Sequence, residues 1–237
     1  EGLNEELRPQ LIIGASTPEK LHEDLAANPH TILIAEELAA VFNKQKYNEL
    51  LIPYVTDVLN YRDRIERRTK GERLIVVERP ALTVIGGSTV DWLQEQLPET
   101  ATAGGFLARF LIINEDQKGK CIALPLRELG RFERLRLLSE RTQIFLDFNR
   151  LVAAAYGELD FADYGASDTF SVWYITHAPL AGNLSPFESR AREHVLRISM
   201  LITLSCGRNK ILSEDVIAAV EIYTYFTNKL NSVVVSF

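Results

Sequence analysis

Two adjacent carboxylates, Glu36 and Glu37, directly follow a short apolar run at residues 31–35. A continuous apolar run of this kind predicts a buried strand of a parallel sheet, and ligands of such sheets gather at the carboxyl ends of the strands. Two carboxylates at that position can hold Mg²⁺ through one side chain and polarise an attacking water through the other. The same residues also fit an acidic helix N-terminus, where carboxylates favour the positive end of the helix dipole. The sequence leaves both interpretations open.

A second polar cluster follows the apolar run at residues 81–85. Gly86 and Gly87 come first, and Ser88 and Thr89 follow them, just before a segment with helical spacing. Glycine lets the backbone approach a neighbour closely, and hydroxyls at the end of a strand can orient a ligand. Ser88 can instead cap the following helix, together with the acidic residue three positions later. Helix capping alone would account for both hydroxyls, so the two roles stay open.

Positive charge is concentrated in residues 62–79, where seven basic side chains accompany four acidic ones. Residues 68–73 have the composition of a turn, and an apolar strand follows them, which predicts a β-hairpin with a basic tip. Basic side chains on a hairpin can contact nucleic-acid phosphates without reading the base sequence. The alternative is a solvated hairpin edge whose charges oppose aggregation. The candidate phosphate contacts are Arg67, Arg68, Lys70 and Arg73.

A lone arginine, Arg109, lies in the otherwise apolar segment 103–110. A buried guanidinium group without a partner is energetically costly. We therefore expect Arg109 to have a partner, which is either a carboxylate of the chain or a phosphate of a ligand.

Hydrophobic periodicity predicts an α/β region followed by a helical region. Strands alternate with helices in the first half of the chain, and this alternation is typical of an α/β sheet. The last part of the chain has helical spacing. The predicted strands are residues 11–15, 31–35, 74–77, 81–85 and 111–113, and the predicted helices are residues 16–27, 38–42, 50–59, 92–97, 126–156, 168–180, 185–205 and 213–231.

Composition narrows the class of protein. The 237 residues are 46% apolar and carry a net charge of −6, so only local basic patches are expected to contact nucleic acid. Two cysteines, Cys121 and Cys206, are too few for a disulfide framework or a cysteine metal site. The sequence has neither the apolar run of ~20 residues that spans a bilayer nor a signal peptide. We expect a soluble, cytoplasmic protein with no membrane partner, preceded by a further segment because a strand follows residue 1 almost at once.

These signals occur in an order that resembles a known family. The residues that carry the resemblance are 31–38, 67–71, 79–82, 86–89, 92–93 and 104–110. Together they resemble the ring-forming, helicase-like P-loop ATPases of phage, plasmid and mobile-element replication. More specifically, the chain is similar to a primase-associated helicase-like family of unknown function that is related to AAA+ ring helicases such as the minichromosome maintenance type. The resemblance implies an α/β AAA+/RecA-like P-loop ATPase core, here partial, over residues 1–125. An all-helical lid-like domain would follow over residues 126–237.

The resemblance implies roles for the residues at the predicted strand ends. Glu37 would be the Walker B catalytic glutamate, and Glu36 would hold Mg²⁺. Ser88 and Thr89 would lie near the sensor-1 position, where they orient water or the γ-phosphate of ATP.

Arginines complete the implied site. Arg109 would be an arginine finger that reaches the nucleotide of a neighbouring subunit, since positive charge is useful where the transferring phosphoryl group develops negative charge. Arg190 and Arg197 resemble the sensor-2 region of the lid. The implied cofactors are ATP and Mg²⁺, and the implied partners are single-stranded DNA, further copies of the chain in a ring, and a primase domain.

Two features depart from the family pattern. The Mg²⁺ position usually holds Asp, whereas this chain has Glu36. The phosphate-binding motif Gly-x-x-x-x-Gly-Lys-Ser/Thr does not occur in the printed sequence, and residues 117–120 only partly resemble it. In the family this motif lies upstream of the strand at residues 11–15, so the chain is either a fragment of a larger protein or a member that has lost the loop. We expect weak or no nucleotide binding by these 237 residues alone. The alternative is a non-catalytic ATPase-like module that binds DNA or a protein.

Overall fold

The computed structural model describes residues 8–43, 50–68, 73–98, 101, 105–114, 130–154 and 157–234. Their contacts form two compact units. The sheet unit comprises the described residues of 5–111, Leu180–Arg190 and 232–237, and the helical unit comprises those of 112–179 and Ala191–Asn231. The sequence placed one boundary at residue 125, which lies outside the described residues, and the contacts assign Leu180–Arg190 to the sheet unit.

The sheet unit is a mixed α/β structure with a small parallel sheet. Among the described residues, strands β1 (Gln10–Ile13), β2 (His30–Ala35) and β5 (Ala81–Gly86) pair in that order, and both pairings are parallel. Strands β3 and β4 form a separate antiparallel hairpin, as predicted, with a tip outside the described residues. The elements are β1 (Gln10–Ile13), α1 (Pro18–Ala27), β2 (His30–Ala35), α2 (Leu38–Val41), α3 (Leu51–Val58), β3 (Arg64–Arg68), β4 (Leu74–Glu78), β5 (Ala81–Gly86) and α4 (Val90–Gln96).

One face of the parallel sheet lies in the core. Thr31, Leu33 and Ala35 of β2 are buried, and they alternate with half-buried residues as the two-residue period of a strand requires. Leu21 and Leu25, one turn apart on α1, are also fully buried. Burial of this face fixes the register of β2 against its neighbours. Glu36 and Glu37 come directly after Ala35, so they lie at the carboxyl end of β2.

The opposite face of the sheet carries exposed apolar side chains on both of its outer strands. The register pairs Ile13 with Ile34 and Ile34 with Ile85, so these side chains share that face. Leu11, Ile13 and Ile85 are 59%, 68% and 55% exposed. The connections from β1 to β2 and from β2 to β5 step across the sheet in the same direction, and right-handed crossovers of this kind lie on the same face. Neither connection can cover the other face.

Several boundaries differ from the sequence predictions. Residues 111–113 do not form a strand, and Leu111 and Ile113 are exposed. An apolar run is not enough to make a strand, because the strand also needs a partner to satisfy its backbone groups. The predicted helix at 185–205 is interrupted at Ser189 and Arg190, where the amide of Arg190 donates to the carbonyl of Phe187, three residues earlier.

Among its described residues, the helical unit has four longer helices and a short parallel strand pair, β6 (Asp160–Phe161) with β7 (Lys210–Ile211). Its core includes Ala191, Val195, Ile198, Ala219 and Tyr223, against which partly buried aromatic and aliphatic side chains pack. The elements are α5 (Arg131–Ala154), β6 (Asp160–Phe161), α6 (Tyr164–Thr176), α8 (Ala191–Ser205), β7 (Lys210–Ile211) and α9 (Ser213–Val234), while α7 (Ser185–Glu188) belongs to the sheet unit. Among the described residues, none of the helices combines the length and the apolar character needed to cross a membrane.

A buried carboxylate organises the first turn of α9. Asp215 is 1% exposed and accepts hydrogen bonds from the hydroxyl of Thr203, the amide of Leu212 and both terminal nitrogens of Arg208. Burial opposes ionisation of Asp215, but the hydrogen bonds from Leu212, Arg208 and Thr203 outweigh it, so the pKa of Asp215 lies below its ordinary value. This carboxylate therefore ties α8, the following loop and α9 together.

Candidate functional site

The carboxyl ends of β2 and β5 lie side by side and carry the predicted polar residues. Ala35 pairs with Gly86 at the last position of the register. Glu36 follows β2 and is exposed, and Glu37 is half-buried. The Oε1 atom of Glu37 accepts a hydrogen bond of 3.2 Å from the amide of Ala39, so Glu37 is the N-cap of α2. The two interpretations of this carboxylate, helix cap and strand-end ligand, are therefore compatible.

A hydrogen bond between side chains joins the two strand ends. The Ser88 hydroxyl donates to Oε1 of Glu37. The backbone holds the same two loops together, because Leu38 donates its amide to the carbonyl of Gly87 at 2.8 Å and Gly87 donates to Ala35 at 3.3 Å. In the described part of the chain, both hydrogen bonds of the Glu37 side chain end on Oε1. Oε2 is thus the oxygen that can act on a ligand or water.

Gly86 makes this close approach possible. A Cβ atom at this position would lie 2.8 Å from Cδ1 of Leu38 and 3.0 Å from the carbonyl oxygen of Ala35. Non-bonded carbon atoms prefer separations of about 3.5–4.0 Å. At Gly87 the nearest atom to an added Cβ is the carbonyl oxygen of Glu36, at 3.8 Å, which is an ordinary contact.

The two hydroxyls after β5 have different partners. Thr89, not Ser88, is the N-cap of α4, because its Oγ1 accepts a hydrogen bond from the amide of Trp92 at 3.3 Å. The sequence suggestion that Ser88 caps this helix is wrong. The backbone leaves β5 so that Thr89 is the last residue before the helix, and the preceding residue, Ser88, faces Glu37.

The carboxylates at the strand ends, Glu36 and Glu37, are the side chains there that could hold a metal ion. Among the described residues, no group of three or more His, Cys, Asp or Glu side chains is placed to hold a metal ion. Mg²⁺ is commonly bound by one or two carboxylates together with substrate phosphates and water. Glu36, exposed beside Glu37, can supply such a carboxylate.

Two of the predicted arginines meet at Asn60. Arg109, at the end of a short 3₁₀ turn (Leu107–Arg109), donates to Oδ1 of Asn60 from Nε at 3.2 Å and from Nη2 at 2.7 Å. Its Nη1 donates to the carbonyl of Gly105 at 2.6 Å. Arg190 donates to the same Oδ1 atom of Asn60 from Nη2 at 3.2 Å. All of these residues belong to the sheet unit.

The other predicted arginine of the lid has a different environment. Arg197 lies on α8 in the helical unit and forms an ion pair of 3.3 Å with Glu193, one turn earlier. Arg190, the other residue that resembles the sensor-2 region, belongs to the sheet unit.

The predicted DNA-contacting residues are not equivalent. The Arg67 guanidinium lies 5.0 Å from the centre of the Tyr54 ring and 3.8 Å from a carboxylate oxygen of Glu19, and the Arg67 side chain is 30% exposed. Arg68 and Arg73 are exposed. Lys70 lies outside the described residues. Arg67 therefore contributes to packing, whereas Arg68 is presented to solvent on β3.

A buried histidine attaches the basic hairpin to the helices. His22 of α1 is 2% exposed, with Nε2 3.0 Å from the carbonyl of Ile75 on β4 and Nδ1 2.8 Å from the Tyr54 hydroxyl on α3. A carbonyl can only accept, so Nε2 carries the proton and Nδ1 accepts from Tyr54 in the neutral ring. Burial raises the pKa of Tyr54, which keeps this hydroxyl protonated.

Sequence reasoning did not identify His22 or Asn60 as important. His22 lies in a predicted helix with no local signal of its role, and its partners are 32 and 53 residues away. Asn60 follows α3 in a turn and lies 49 residues from Arg109. No local pattern identifies contacts at such separations.

Comparisons with known proteins leave the family of this chain open. No protein-family model matches the chain, and no curated protein matches it. Its function is therefore inferred from the geometry at the strand ends and from the chemistry of the residues found there.

Proposed function

We propose that this chain is part of the ATP-dependent motor of a replicative DNA helicase of a phage, plasmid or mobile element, which acts as an oligomeric ring on single-stranded DNA. The observation that carries the proposal is the hydrogen bond from Ser88 to Glu37 across the carboxyl ends of adjacent parallel strands, with Glu36 exposed beside it. Carboxyl ends of parallel strands are where nucleotides bind in open α/β sheets. The pair has the residue types expected for a catalytic glutamate and a sensor-1 hydroxyl.

The contacts of Glu37 fit the role of a general base. Ser88 and the amide of Ala39 hold one carboxylate oxygen, so the orientation of the side chain is set before a substrate arrives. The second oxygen can then accept a proton from water as the water attacks a phosphoryl group. Glu36 would hold Mg²⁺, which when bound neutralises phosphate charge. Thr89, occupied as a helix cap, would contribute through the position of α4.

Exposed apolar side chains on one face of the sheet, among the described residues, support the proposal that these three strands belong to a larger core. Parallel sheets are covered on both faces in α/β proteins. Here Leu11, Ile13 and Ile85 expose an apolar face that neither crossover can cover. A further helix of the same protein would cover this face, and the loop between that helix and a further edge strand would supply the phosphate-binding motif that the printed sequence lacks.

The hairpin and the arginines complete the proposed motor. Arg68 and Arg73 are exposed and can contact DNA phosphates, while His22 connects the hairpin to α1 and α3. Arg109 would supply positive charge to a phosphoryl group bound by a neighbouring subunit. Hydrolysis would in this way be coupled to assembly of the ring.

A second candidate is a non-catalytic ATPase-like module that binds DNA or a protein. The absence of Gly-x-x-x-x-Gly-Lys-Ser/Thr from the printed sequence favours it. In that case Glu37 and Ser88 would serve only to cap α2 and to join β2 with β5. DNA binding by Arg68 would remain, without hydrolysis.

The test measures ATP hydrolysis by the full-length protein that contains these 237 residues, with and without single-stranded DNA. Glu37→Gln keeps an oxygen that can cap α2 and accept from Ser88, but the amide cannot accept a proton from water. We expect kcat to fall by about 10²–10⁴-fold with ATP binding retained, as for loss of a general base. Glu95→Gln is the matched control, because Glu95 is an exposed carboxylate on α4.

Two results would contradict the motor proposal. One is full hydrolysis by the Glu37→Gln protein, which would remove Glu37 from the chemistry. The other is no DNA-stimulated hydrolysis by the unsubstituted full-length protein. Retention of DNA binding in that second case would favour the non-catalytic module.

A further inference from the structure

Helix α5 carries an apolar stripe that is exposed to solvent. The structure describes the side chains of this helix over residues 131–147, and within that range Leu137 is half-buried and the other side chains are exposed. Each residue of a helix advances by about 100° around the axis. Five large apolar side chains therefore fall within one arc of about 140°. This apolar stripe consists of Phe132, Leu135, Leu138, Phe145 and Leu146, which are 88%, 55%, 62%, 63% and 43% exposed.

The apolar stripe is large for a surface in contact with water. It extends over about 21 Å between its first and last residues, at a rise of about 1.5 Å per residue. A phenylalanine side chain offers about 150–250 Å² for burial, so Phe132 and Phe145 at their observed exposures present on the order of 300 Å² together. The three leucines add to this area. Apolar patches of this size mark interaction sites on soluble proteins.

The charged residues of α5 are arranged regularly around the apolar stripe. The seven-residue spacing places Arg134 and Arg141 along one border of the stripe, and Arg136 lies on the other border. Arg136 also forms an exposed ion pair of 3.3 Å with Glu140, one turn later. Both borders are therefore basic, and no acidic side chain in the described part of α5 lies on either of them. The acidic residues form a line on the opposite side of the helix, at Glu133, Glu140 and Asp147.

A second copy of α5 does not fit this arrangement of charges. When two helices pack stripe to stripe, the borders of one helix lie opposite the borders of the other. In a parallel pair Arg134 and Arg141 would oppose Arg136 and Gln143, and in an antiparallel pair each border would oppose itself. Arginine meets arginine in both orientations, and like charges placed opposite each other are destabilising.

A membrane surface also fits the helix poorly. Helices that lie on a membrane have a polar face rich in lysine and arginine, which attracts anionic lipids. The face of α5 opposite the stripe has the other sign, because it carries Glu133, Glu140 and Asp147. Basic borders around an apolar stripe instead complement a protein surface with acidic borders around an apolar centre.

We propose that the apolar stripe of α5 docks against a partner protein through an amphipathic helix whose apolar face is bordered by acidic side chains. Phe132 and Phe145 are the aromatic anchors at its two ends. The arginines on the borders select the partner by charge. This interaction lies beyond the proposed motor activity, and it uses neither Glu37 nor the basic hairpin.

The test measures, by fluorescence anisotropy, binding of two synthetic helical peptides to the full-length protein that contains these 237 residues. Each peptide has about three heptads with leucine at positions a and d, and positions e and g are glutamate in one peptide and lysine in the other. Like charges at e and g oppose pairing of each peptide with itself. We expect the glutamate peptide to bind about tenfold more tightly than the lysine peptide.

The apolar contribution is tested by replacing Leu138 and Phe145 together with serine. Both side chains are more than half exposed, so we expect little change in the melting temperature and about tenfold or greater loss of affinity for the glutamate peptide. Ile144→Ser is the matched control, because Ile144 is 68% exposed on the same helix but lies outside the apolar stripe. We expect its peptide binding to equal that of the unsubstituted protein.

The charge contribution is tested by Arg141→Glu, which reverses one border charge. We expect the glutamate peptide to bind about three- to tenfold more weakly and the lysine peptide to bind more tightly. Arg192→Glu makes the same change of charge at an exposed position on a different helix, α8. We expect it to leave the preference for the glutamate peptide unchanged.

Several results would overturn the inference. They include no binding of the glutamate peptide, equal affinities for the two peptides, and equal losses in Ile144→Ser and the double serine variant. Binding to vesicles of equimolar phosphatidylcholine and phosphatidylglycerol, if the double serine variant abolishes it, would assign the stripe to a membrane surface instead. Dissociation of an oligomer in the double serine variant, measured by sedimentation velocity, would assign it to a second copy.

Discussion

The close approach of β5 to α2 at Gly86 allows the effect of Gly86→Ala on the free energy of unfolding to be predicted. In Gly86→Ala, the new Cβ would lie 2.8 Å from Cδ1 of Leu38 and 3.0 Å from the carbonyl oxygen of Ala35. The Leu38 methyl group can rotate away, but the carbonyl is part of β2 and can move only with the strand. Overpacking of this kind costs about 1–3 kcal/mol, partly offset by about 0.4–1 kcal/mol because alanine has fewer unfolded conformations than glycine. We expect a net loss of about 1–2 kcal/mol from the free energy of unfolding.

Gly87→Ala is the matched control at the adjacent position. An added Cβ there has its nearest neighbour at 3.8 Å, and Gly87 is not among the glycines with positive φ. We expect this variant to be neutral or more stable by up to about 1 kcal/mol.

Urea denaturation followed by circular dichroism measures both variants. With a slope of about 2 kcal/mol per molar urea, a difference of about 2 kcal/mol separates the two midpoints by about 1 M. In full-length protein, Gly86→Ala should also lower hydrolysis, because it pushes the strand ends that carry Glu37 and Ser88 apart. Equal midpoints for the two alanine variants would refute the reasoning that Gly86 permits this contact.

Acid should destabilise the helical unit through Asp215, whose pKa is lowered in the folded state. The contribution of Asp215 to the free energy of unfolding is complete above its unfolded-state pKa of about 3.9 and is lost as pH falls through its folded-state pKa. Asp215→Asn should therefore flatten the dependence of melting temperature on pH below about pH 5. His22→Leu should cost about 2–3 kcal/mol of stability, because it leaves the Tyr54 hydroxyl and a β4 carbonyl without their buried partner. Arg68→Ala should weaken single-stranded DNA binding for all sequences and reduce the salt slope by about 0.7, whereas Arg67→Ala should lower stability more than DNA affinity.

Each of these outcomes has a clear opposite. An unchanged acid profile in Asp215→Asn would show that other groups control acid unfolding. A His22→Leu protein as stable as the unsubstituted one would mean that the two hydrogen bonds do not hold the hairpin. Filter binding at several salt concentrations tests the arginines, and equal salt slopes for Arg68→Ala and the unsubstituted protein would remove Arg68 from the DNA interface.

Strands and helices with strong local sequence patterns were predictable from the sequence. The apolar run of β2 was confirmed at His30–Ala35, and the helix after it begins within a residue of the predicted position. The long helix α9 starts at Ser213 as predicted. Such elements depend on spacing between neighbours in the chain, which hydrophobic periodicity reports directly. The apolar run at residues 111–113 gave the same signal, but it does not form a strand and pairs with no other strand among the described residues.

The sequence by itself determined the residue types of the candidate site and their position after predicted strands. Glu36, Glu37 and Ser88 could be placed at strand ends because each follows its strand directly. Only the tertiary structure decided that Ser88 faces Glu37 while Thr89 caps α4, since that depends on the direction in which the backbone leaves β5. The meeting of two arginines at Asn60 was likewise beyond the sequence. Contacts of this kind join distant segments, and packing of the whole unit, not local spacing, sets them.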